Sequence, residues 1–318
     1  MNSIQHSIVT LIIVTYNSED EIIDCLESIF KNKIPCIVYV VDNASSDHTV
    51  AMLREYSEKE PRVKVILNSE NKGLAYANNQ PIPFIESKYT LILNPDILLR
   101  ENTLELMVEA MENDPSIGML GPLCVFADGE RHLSAHSYYN VFTILTWRLI
   151  PHTLMRFLSD KFSNYNRREV LFVSGACYII PSALYKELKG YDPALFLTVA
   201  DVADIGVRVK EKKYKVIYHP DVVITHFSNA KIKTDVDSSE KLRIQFWGLT
   251  GDLYFIRKHK GQFQASFLES ILMGSSFLRA IIYSAVSLFS SRGEFKGKAE
   301  LYYNLTKSLR AYPEKNNA

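Results

Sequence analysis

The 318-residue sequence lacks the features of a secreted, disulfide-stabilised or polyanion-binding protein. Lys plus Arg and Asp plus Glu are 36 each, so the overall charge favours no nucleic-acid partner. The N-terminus has no basic region, and its apolar run at 8–14 predicts a strand, not a signal peptide. The four cysteines have no CxxC or metal-finger spacing, and we expect reduced, buried thiols in a cytosolic protein at Cys25, Cys36, Cys124 and Cys177.

Three nucleotide-binding motifs are also missing. No GxGxxG follows a strand, which argues against a dinucleotide-dependent dehydrogenase, and no GxxxxGK[ST] phosphate loop is present. A sugar-phosphate nucleotidyltransferase would need a glycine-rich loop near the N-terminus, where "TYNSEDE" offers none. With 47% hydrophobic and 23% charged residues, the composition is that of an ordinary globular protein with a sizeable core.

Strand and helix patterns alternate over the first hundred residues. "SIVTLIIVTYN" (7–17), "CIVYVVDNASSD" (36–47) and "YTLILNPD" (89–96) are apolar runs typical of strands covered on both faces. Helical periodicity lies between them, over 18–32, where Ser18 is the predicted N-cap, and near 74–87. This order predicts an α/β fold with a parallel sheet.

Two acids follow predicted strands at the point where each strand ends. Asp42 follows one strand, and in "LILNPDILL" Pro95 interrupts an apolar pattern immediately before Asp96. Ligands of open parallel sheets bind at the carboxyl ends of the strands, so both acids would lie at one edge. Mg²⁺ or Mn²⁺ held there could neutralise a diphosphate leaving group. Each acid alone could instead cap a helix or order a turn.

These segments resemble the family 2 glycosyltransferases with the GT-A fold, and more narrowly the bacterial rhamnosyltransferase-like members. The resemblance rests on "VTLIIVTYN", "VVDNASSD", "NSENKGLAYANN" and "LILNPDILL" in that order. "FVSGACYIIPSALYKELKGYD" and "RVKEKKYKVIYHPDVVITH" extend it to about residue 226. It implies a GT-A nucleotide-binding fold with a mostly parallel central sheet, followed by a C-terminal helical segment.

The resemblance also implies roles for individual residues. Asp42 would contact the nucleotide base, and Asp96 would hold the divalent cation, with Asn94 as the weaker first position of an Asp-x-Asp-like motif. His226 matches a late family histidine that can approach the metal or the diphosphate; a strand-end histidine bonded to a loop is an equal alternative. The other donor-binding candidates are Thr15, Tyr16, Asn17, Asn43, Asn71, Lys72 and Gly73.

The sequence departs from the family pattern where the general base is expected. The family has an acidic pair after "GYD", and this chain has "FLTVADVADIGVR". Counting forward from Asp192 puts Ala200 at the position of the base, whereas counting back from Arg208 puts Asp201 there and Asp204 at the second acid. We predict Asp201 as the base with Asp204 in support, and the one-residue ambiguity remains.

The resemblance predicts an inverting, metal-dependent glycosyltransferase that uses Mg²⁺ or Mn²⁺ and a dTDP- or UDP-linked sugar. L-Rhamnose is the expected sugar, and a glycan or lipid-linked glycan of a growing bacterial surface polysaccharide is the expected acceptor. The expected location is the cytoplasm, including the cytoplasmic face of the inner membrane. The alternative is a catalytically weak nucleotide-sugar-binding homologue or assembly partner, motivated by Ala200 and Ala203.

We predict a nucleotide-sugar-binding half over 1–125, an acceptor-binding half over 126–230 and a C-terminal helical region over 231–318. That last region carries 14 Lys and Arg against 8 Asp and Glu. Its apolar stretch at 266–292 has an uninterrupted run of about ten residues, short of the roughly 20 needed to span a bilayer. The stretch is therefore either a helix packed on its own domain or an interfacial helix backed by Arg292, Lys296 and Lys298 near anionic lipid.

Overall fold

A computed structural model describes residues 7–131, 133–149, 166–195, 199–227, 238–289 and 293–310. These residues form two compact units. The first contains the described residues up to Tyr139, those of 166–195 and those of 201–227. The second contains 140–149, 199–200 and the described residues from 238 onward.

The chain begins as the alternation of strands and helices predicts. The first part contains β1 (Val9–Thr15), α1 (Ile22–Phe30), β2 (Cys36–Asp42), α2 (Thr49–Lys59), β3 (Val63–Leu67), α3 (Leu74–Asn79), β4 (Tyr89–Leu93), β5 (Ile97–Leu99) and α4 (Thr103–Asn113). The remainder contains β6 (Ile117–Phe126), β7 (Ala135–His136), α5 (Val141–Leu149), β8 (Arg168–Glu169), β9 (Phe172–Val173), β10 (Cys177–Pro181), α6 (Ser182–Glu187), α7 (Val199–Glu211), β11 (Lys215–His226), α8 (Ser238–Lys260), α9 (Gln262–Phe289) and α10 (Gly293–Arg310).

One large sheet organises the first unit, in the order β3-β2-β1-β4-β10-β6-β11-β5, with β8 paired to β11. The strands β3, β2, β1 and β4 are mutually parallel, and β11 is parallel to β6. Antiparallel pairings join β10 to β4 and β6, and β5 to β11. The predicted mixed α/β fold with a mostly parallel sheet is confirmed, and β7 and β9 form a separate small pair.

The strands are apolar without interruption because both faces of the sheet are covered. Leu11 and Ile12, which point to opposite faces of β1, are both fully buried, and all five residues of β4 are buried. One face packs against the apolar sides of α1, α2 and α4. Because both faces of the sheet are covered, the polar side chains of a possible site lie at the ends of the strands.

Two predicted helices are shorter than their patterns indicated. The first helix begins at Ile22, not at Ser18, whose backbone N–H donates to the Thr49 hydroxyl at 2.9 Å. That contact ties the loop after β1 to α2, while the Ser18 hydroxyl accepts from the Tyr16 N–H at 3.4 Å, and α1 has no side-chain capping hydrogen bond. The predicted helix over 74–87 stops at Asn79, because Pro81 removes a donor and starts a short 3₁₀ turn at Ile82–Phe84.

The second unit consists of α5 and the helices α8, α9 and α10. The Arg148 guanidinium donates two hydrogen bonds, of 3.0 and 2.7 Å, to the Asp252 carboxylate. Arg279 of α9 donates to the Arg148 carbonyl at 3.0 Å and to the Tyr302 hydroxyl at 3.3 Å. These bonds join α5, α8, α9 and α10 through polar side chains inside the unit.

The helix α9 is longer than the sequence pattern indicated. It spans 28 residues, and an 18-residue window has a mean hydropathy of 1.6, so its length and composition would allow it to cross a membrane. Arg279 lies within this helix and bounds the apolar run of about ten residues, which is why counting that run underestimated the apolar length of α9. Length and composition alone do not separate a membrane helix from a core helix, although only 17% of this window is buried.

Candidate functional site

The candidate site is built on the edge of the sheet where β1, β2 and β4 end. Thr15, the last residue of β1, lies opposite Asp42, the last residue of β2. On the other side of β1, Ile13 lies opposite Leu93, the last residue of β4. Neighbouring strands lie about 4.8 Å apart, so the ends of β2 and β4 are separated by roughly 10 Å on one edge.

Asp42 is held in place by donors from the end of β1 and from the loop after β2. Its carboxylate accepts hydrogen bonds from the Thr15 hydroxyl at 3.0 Å, from the Ser45 backbone N–H at 3.0 Å and from the Ser45 hydroxyl at 2.5 Å. The side chain is buried, and a carboxylate offers about four acceptor positions. The structure therefore orients Asp42 firmly and uses three of those positions.

The loop after β1 carries Tyr16 and Asn17. Tyr16 is 53% exposed, whereas Asn17 binds the neighbouring loop: its backbone N–H donates to the Ser45 hydroxyl at 2.9 Å and its Oδ1 accepts from the Ser46 N–H at 2.8 Å. Asn17 adopts a left-handed backbone conformation with φ of 53°, which asparagine tolerates better than most residues. Ser45 thus binds both Asp42 and the Tyr16–Asn17 loop.

Asn43, Asn71 and Gly73 are also brought together. The Asn43 amide donates to Oδ1 of Asn71 at 2.8 Å, and the Gly73 backbone N–H donates to the same oxygen at 3.0 Å. Gly73 has φ of 90°, a value that favours glycine. Lys72 is exposed, and its ammonium lies 3.1 Å from the Glu70 carboxylate.

The turn at Asn94 connects β4 to β5 and places Asp96 against β11. The Ile97 N–H donates to the Asn94 carbonyl at 3.3 Å, and the Phe227 N–H donates to the Asp96 carbonyl at 2.8 Å. Antiparallel pairing sets His226 opposite Ile97. As a result, Nε2 of His226 lies 2.8 Å from Oδ2 of Asp96.

The surroundings of His226 favour its charged form. Its ring stacks on the Phe126 ring, with the centroids 5.8 Å apart. Burial lowers the pKa of His226, but hydrogen bonds to Asp96 and Cys124 and the negative charge of Asp96 outweigh that effect and raise it to about 10. The pair is therefore an imidazolium and a carboxylate at neutral pH.

Asp96 and His226 are a suitable but incomplete ligand set for a divalent cation. Among the described residues, no group of three or more His, Cys, Asp or Glu side chains could hold a metal ion. Mg²⁺ and Mn²⁺ do not require such a group, since they are commonly held by one or two protein ligands and completed by substrate phosphates and water. The imidazole would first have to lose the proton that it shares with Asp96, because only neutral imidazole is a metal ligand. In that state the carboxylate oxygen and the imidazole nitrogen, 2.8 Å apart, fit such a site.

The two acids predicted for catalysis have different environments on α7. Asp204 is fully buried, and its carboxylate accepts a hydrogen bond from Nε of Arg208 at 2.7 Å. The same guanidinium donates to the carbonyls of Leu188 at 2.8 Å and Gly190 at 2.9 Å. Asp204 therefore holds the arginine that fixes the loop after α6.

Asp201 lies near two buried tyrosines. The hydroxyl of Tyr178 donates to that of Tyr191 at 2.9 Å. Burial raises the pKa of both hydroxyls well above the usual value, and the nearby charge of Asp201 adds to the shift. Ala200, the alternative residue for the base position, is fully buried on the same helix.

Several residues that support the site were not predicted. Ser45 could have been found from its position three residues after Asp42 in a turn, and Arg208 from its (i, i+4) spacing to Asp204 on a helix. Cys124 and Phe126, which contact His226, give no signal in the sequence because their role depends on strand pairing between β6 and β11.

Comparison with known proteins defines the class to which this fold and site belong. Residues 10–187 match the family described as Glycosyl transferase family 2. The match covers more than half of the sequence, and the chain belongs to this family. It is a glycosyltransferase, as the sequence motifs predict.

Individual relatives agree with this assignment. The chain is 24% identical over 310 residues to the N-acetylglucosaminyl-diphospho-decaprenol L-rhamnosyltransferase of Mycobacterium tuberculosis, covering 90% of this chain and 95% of that protein. It is 28% identical over 132 residues to chondroitin synthase of Escherichia coli, covering 41% of this chain and 19% of that protein.

Solved structures share the fold at 16% sequence identity. The mannosyltransferase PcManGT of Pyrobaculum calidifontis, in complex with GDP-Man and Mn²⁺, superposes with a TM-score of 0.55 and covers 96% of this chain and 87% of that one. GalNAc-T7 with UDP, GalNAc and Mn²⁺ superposes with a TM-score of 0.59. The match covers 80% of this chain and 48% of that one, so this chain spans about half of GalNAc-T7. The GT-A fold expected from the sequence is confirmed.

Proposed function

We propose that this glycosyltransferase moves a sugar from a dTDP- or UDP-linked donor to a hydroxyl of a lipid-linked glycan, with inversion at the anomeric carbon. L-Rhamnose is the sugar we propose, because a relative matched over 95% of its length is an L-rhamnosyltransferase whose name contains a diphospho-decaprenol acceptor. Asp96 and His226 would hold Mg²⁺ or Mn²⁺.

The observation that supports this proposal most strongly is the pairing of Asp96 with His226 across β5 and β11. It brings a carboxylate and an imidazole to the edge of the sheet where Asp42 also ends its strand. A bound cation there would neutralise the charge that develops on the departing diphosphate. Asn94, in the same turn, would line the donor side of this position.

The other residues would divide the remaining work. Asp42 has one acceptor position left, enough for a single N–H of a nucleobase, and Thr15 and Ser45 keep it oriented. Tyr16, Asn17, Asn43, Asn71, Lys72 and Gly73 would contact the rest of the donor. Asp201 would accept the proton of the attacking hydroxyl, because a positioned carboxylate makes a hydroxyl a competent nucleophile.

We further propose that the second unit contacts a lipid surface through α9. Phe263, Phe277, Leu288 and Phe289 are each more than half exposed on this helix. The last turn of α8 adds Arg257, Lys258, His259 and Lys260 at one end of α9, and α10 adds Lys296 and Lys298 at the other. Arg292, predicted to assist, lies outside the described residues. Exposed apolar side chains flanked by cations are typical of helices that lie on anionic membranes.

A panel of nucleotide sugars tests the proposed reaction. Purified protein is incubated with Mn²⁺, a lipid-linked acceptor and each donor, and products are identified by mass spectrometry. Asp96→Asn should lower metal-stimulated transfer by about 100-fold or more, since a neutral amide binds the cation poorly. Asp128→Asn, at an exposed turn, is the matched control. Full transfer by Asp96→Asn would contradict the proposal.

The alternative is a protein that binds nucleotide sugars but transfers them weakly. This alternative is supported by two observations: Ala200 occupies one of the two positions proposed for the base, and Asp201, the other candidate, is only 5% exposed. Calorimetry that shows donor binding, together with neither transfer nor donor hydrolysis in the panel, would support it.

A further inference from the structure

Four side-chain amides form a continuous hydrogen-bonded chain behind the Asn71 loop. We call Gln80, Asn68, Asn43 and Asn71 the amide relay. Gln80 and Asn68 exchange two hydrogen bonds, of 2.9 and 3.0 Å, and Asn68 also donates to Oδ1 of Asn43 at 3.1 Å. Asn43 donates to Oδ1 of Asn71 at 2.8 Å. The relay links the ends of β2, β3 and α3 to one loop.

The direction of the relay is fixed by a backbone group. The N–H of Gly73 can only donate, and it lies 3.0 Å from the inward atom of the Asn71 amide, so that atom must be the carbonyl oxygen. Asn43 therefore turns its NH₂ group toward Asn71 and its oxygen toward Asn68. Asn43 is 2% exposed, so water does not compete readily for either group.

The consequence concerns the outward side of Asn71. The side-chain oxygen of Asn71 already accepts two hydrogen bonds from inside the protein, from Asn43 and Gly73. Because Asn71 is exposed, its NH₂ group faces the solvent. Within the described part of the chain, no residue accepts a hydrogen bond from this group. This NH₂ group suits a ligand rich in acceptor oxygens, and the ammonium of Lys72, the next residue in the chain, lies 3.1 Å from the Glu70 carboxylate.

We propose that the amide relay orients Asn71 as a hydrogen-bond donor to a nucleoside diphosphate, and that Asn68 and Gln80 are positioning residues that act through it. The inference rests on the proposed function, because it takes the donor nucleotide to lie at this edge of the sheet. It adds that the affinity for the nucleotide depends on two side chains that need not touch it.

The first test changes only the outward atom. Asn71→Asp keeps an oxygen for the Gly73 N–H and for Asn43, but it replaces the outward NH₂ with a carboxylate oxygen. Binding of UDP and dTDP, measured by calorimetry with Mn²⁺, should weaken by about 30-fold or more, from the lost hydrogen bond and the added repulsion. Asn304→Asp, exposed on α10, is the matched control. Binding within twofold of wild type would overturn the proposal.

The second test separates positioning from a general structural role. Asn68→Asp places an oxygen against the Asn43 oxygen, so Asn43 must reverse and Asn71 loses its inward donor. UDP binding should weaken about tenfold in the wild-type background and at most about twofold in an Asn71→Ala background, where no amide remains to be oriented. An equal loss in both backgrounds would show that Asn68 does not act through Asn71.

A measurement without ligand distinguishes failure of the relay from failure of the proposed function. In ¹⁵N spectra, the NH₂ protons of Asn43 and Asn68 should exchange with water more slowly than those of exposed Asn304, and Asn68→Asp should shift the Asn43 NH₂ resonances as that group turns from Asn71 to the new carboxylate. Equally fast exchange in the wild-type protein would overturn the relay. Protection without any binding of UDP or dTDP would leave the relay standing, but overturn the donor role of Asn71 and the proposed function.

Discussion

The imidazole of His226 and the carboxylate of Asp96 lie 2.8 Å apart, although 130 positions separate them in the chain. The pair forms because β5 runs antiparallel to β11 directly after the Asn94 turn. Its members have opposite charges at neutral pH, since the pKa of His226 is raised to about 10. The stability of the metal-free protein should therefore depend on pH in a defined direction.

Between the ordinary histidine pKa of 6.5 and about 10, the folded protein holds a proton that the unfolded chain has released. The stabilisation from this proton is fully present below pH 6.5 and is lost as the pH rises through 10, by about 1.4 kcal/mol per pH unit. Urea unfolding in EDTA measures this effect. Between pH 7.5 and 9, the free energy of unfolding of the wild-type protein should fall by about 2 kcal/mol more than that of His226→Gln.

The same pair of variants provides the control, because every other titrating group is shared between them. If the free energies of unfolding of wild type and His226→Gln fall in parallel over this range, His226 does not hold the proton and the ion pair is wrong.

Asp201→Asn should separate chemistry from donor binding. If Asp201 accepts the proton of the acceptor hydroxyl, its amide variant should lose about 10²- to 10⁴-fold in kcat. UDP affinity should stay within about threefold, because we place no donor contact on this residue. Steady-state transfer assays and calorimetry measure the two quantities, with Asp128→Asn as the control. Unchanged turnover would show that the base lies elsewhere, and would revive the register that puts Ala200 at this position.

Arg208→Met should destabilise the fold rather than alter chemistry directly. The variant leaves the buried Asp204 carboxylate without its guanidinium and removes the donors to the Leu188 and Gly190 carbonyls. We expect a loss of about 3–5 kcal/mol in the free energy of unfolding. The double variant Arg208→Met/Asp204→Leu should recover a substantial part of it, since no uncompensated charge remains. A change within 0.5 kcal/mol, as expected for exposed Arg54→Met, would contradict this account.

Leu288 and Phe289, which are 82% and 92% exposed at the end of α9, are suitable probes for lipid contact. Replacing both by glutamate should reduce co-sedimentation with phosphatidylglycerol-containing vesicles by at least about tenfold, because apolar burial is lost and charge repulsion is added. Asn304→Glu, on α10, controls for the added charge. Equal partitioning of the double variant and wild type would exclude this face as the contact.

The strands could be predicted from the sequence because their burial on both faces leaves an uninterrupted apolar run, as in β1, β2 and β4. The start of α1 could not be predicted, because the Ser18 hydroxyl accepts from the Tyr16 N–H instead of capping the helix and the Ser18 N–H donates to Thr49, contacts made only in the folded protein. Local patterns identify which segments are strands and helices, whereas contacts between loops decide where a helix begins.

The same division applies to the candidate site. The resemblance to a family singled out Asp96 and His226 separately, but their ion pair depends on strand pairing that leaves no local pattern. The amide relay is a similar case. In the sequence, Asn68 and Gln80 have no pattern that sets them apart from other loop and helix-end residues, because their contacts form only when the ends of β2, β3 and α3 come together.

The position of β10 has a consequence for how the chain reaches its native state. β4 is paired to β1 on one side and to β10 on the other, and β10 lies more than 80 residues further along the chain. While the protein is being synthesised, the first four strands can assemble, but β4 remains an open, apolar edge until residues 177–181 leave the ribosome. During that interval the nascent chain presents the surface most prone to pairing with a neighbour, which makes slow translation between these strands a hazard for its solubility.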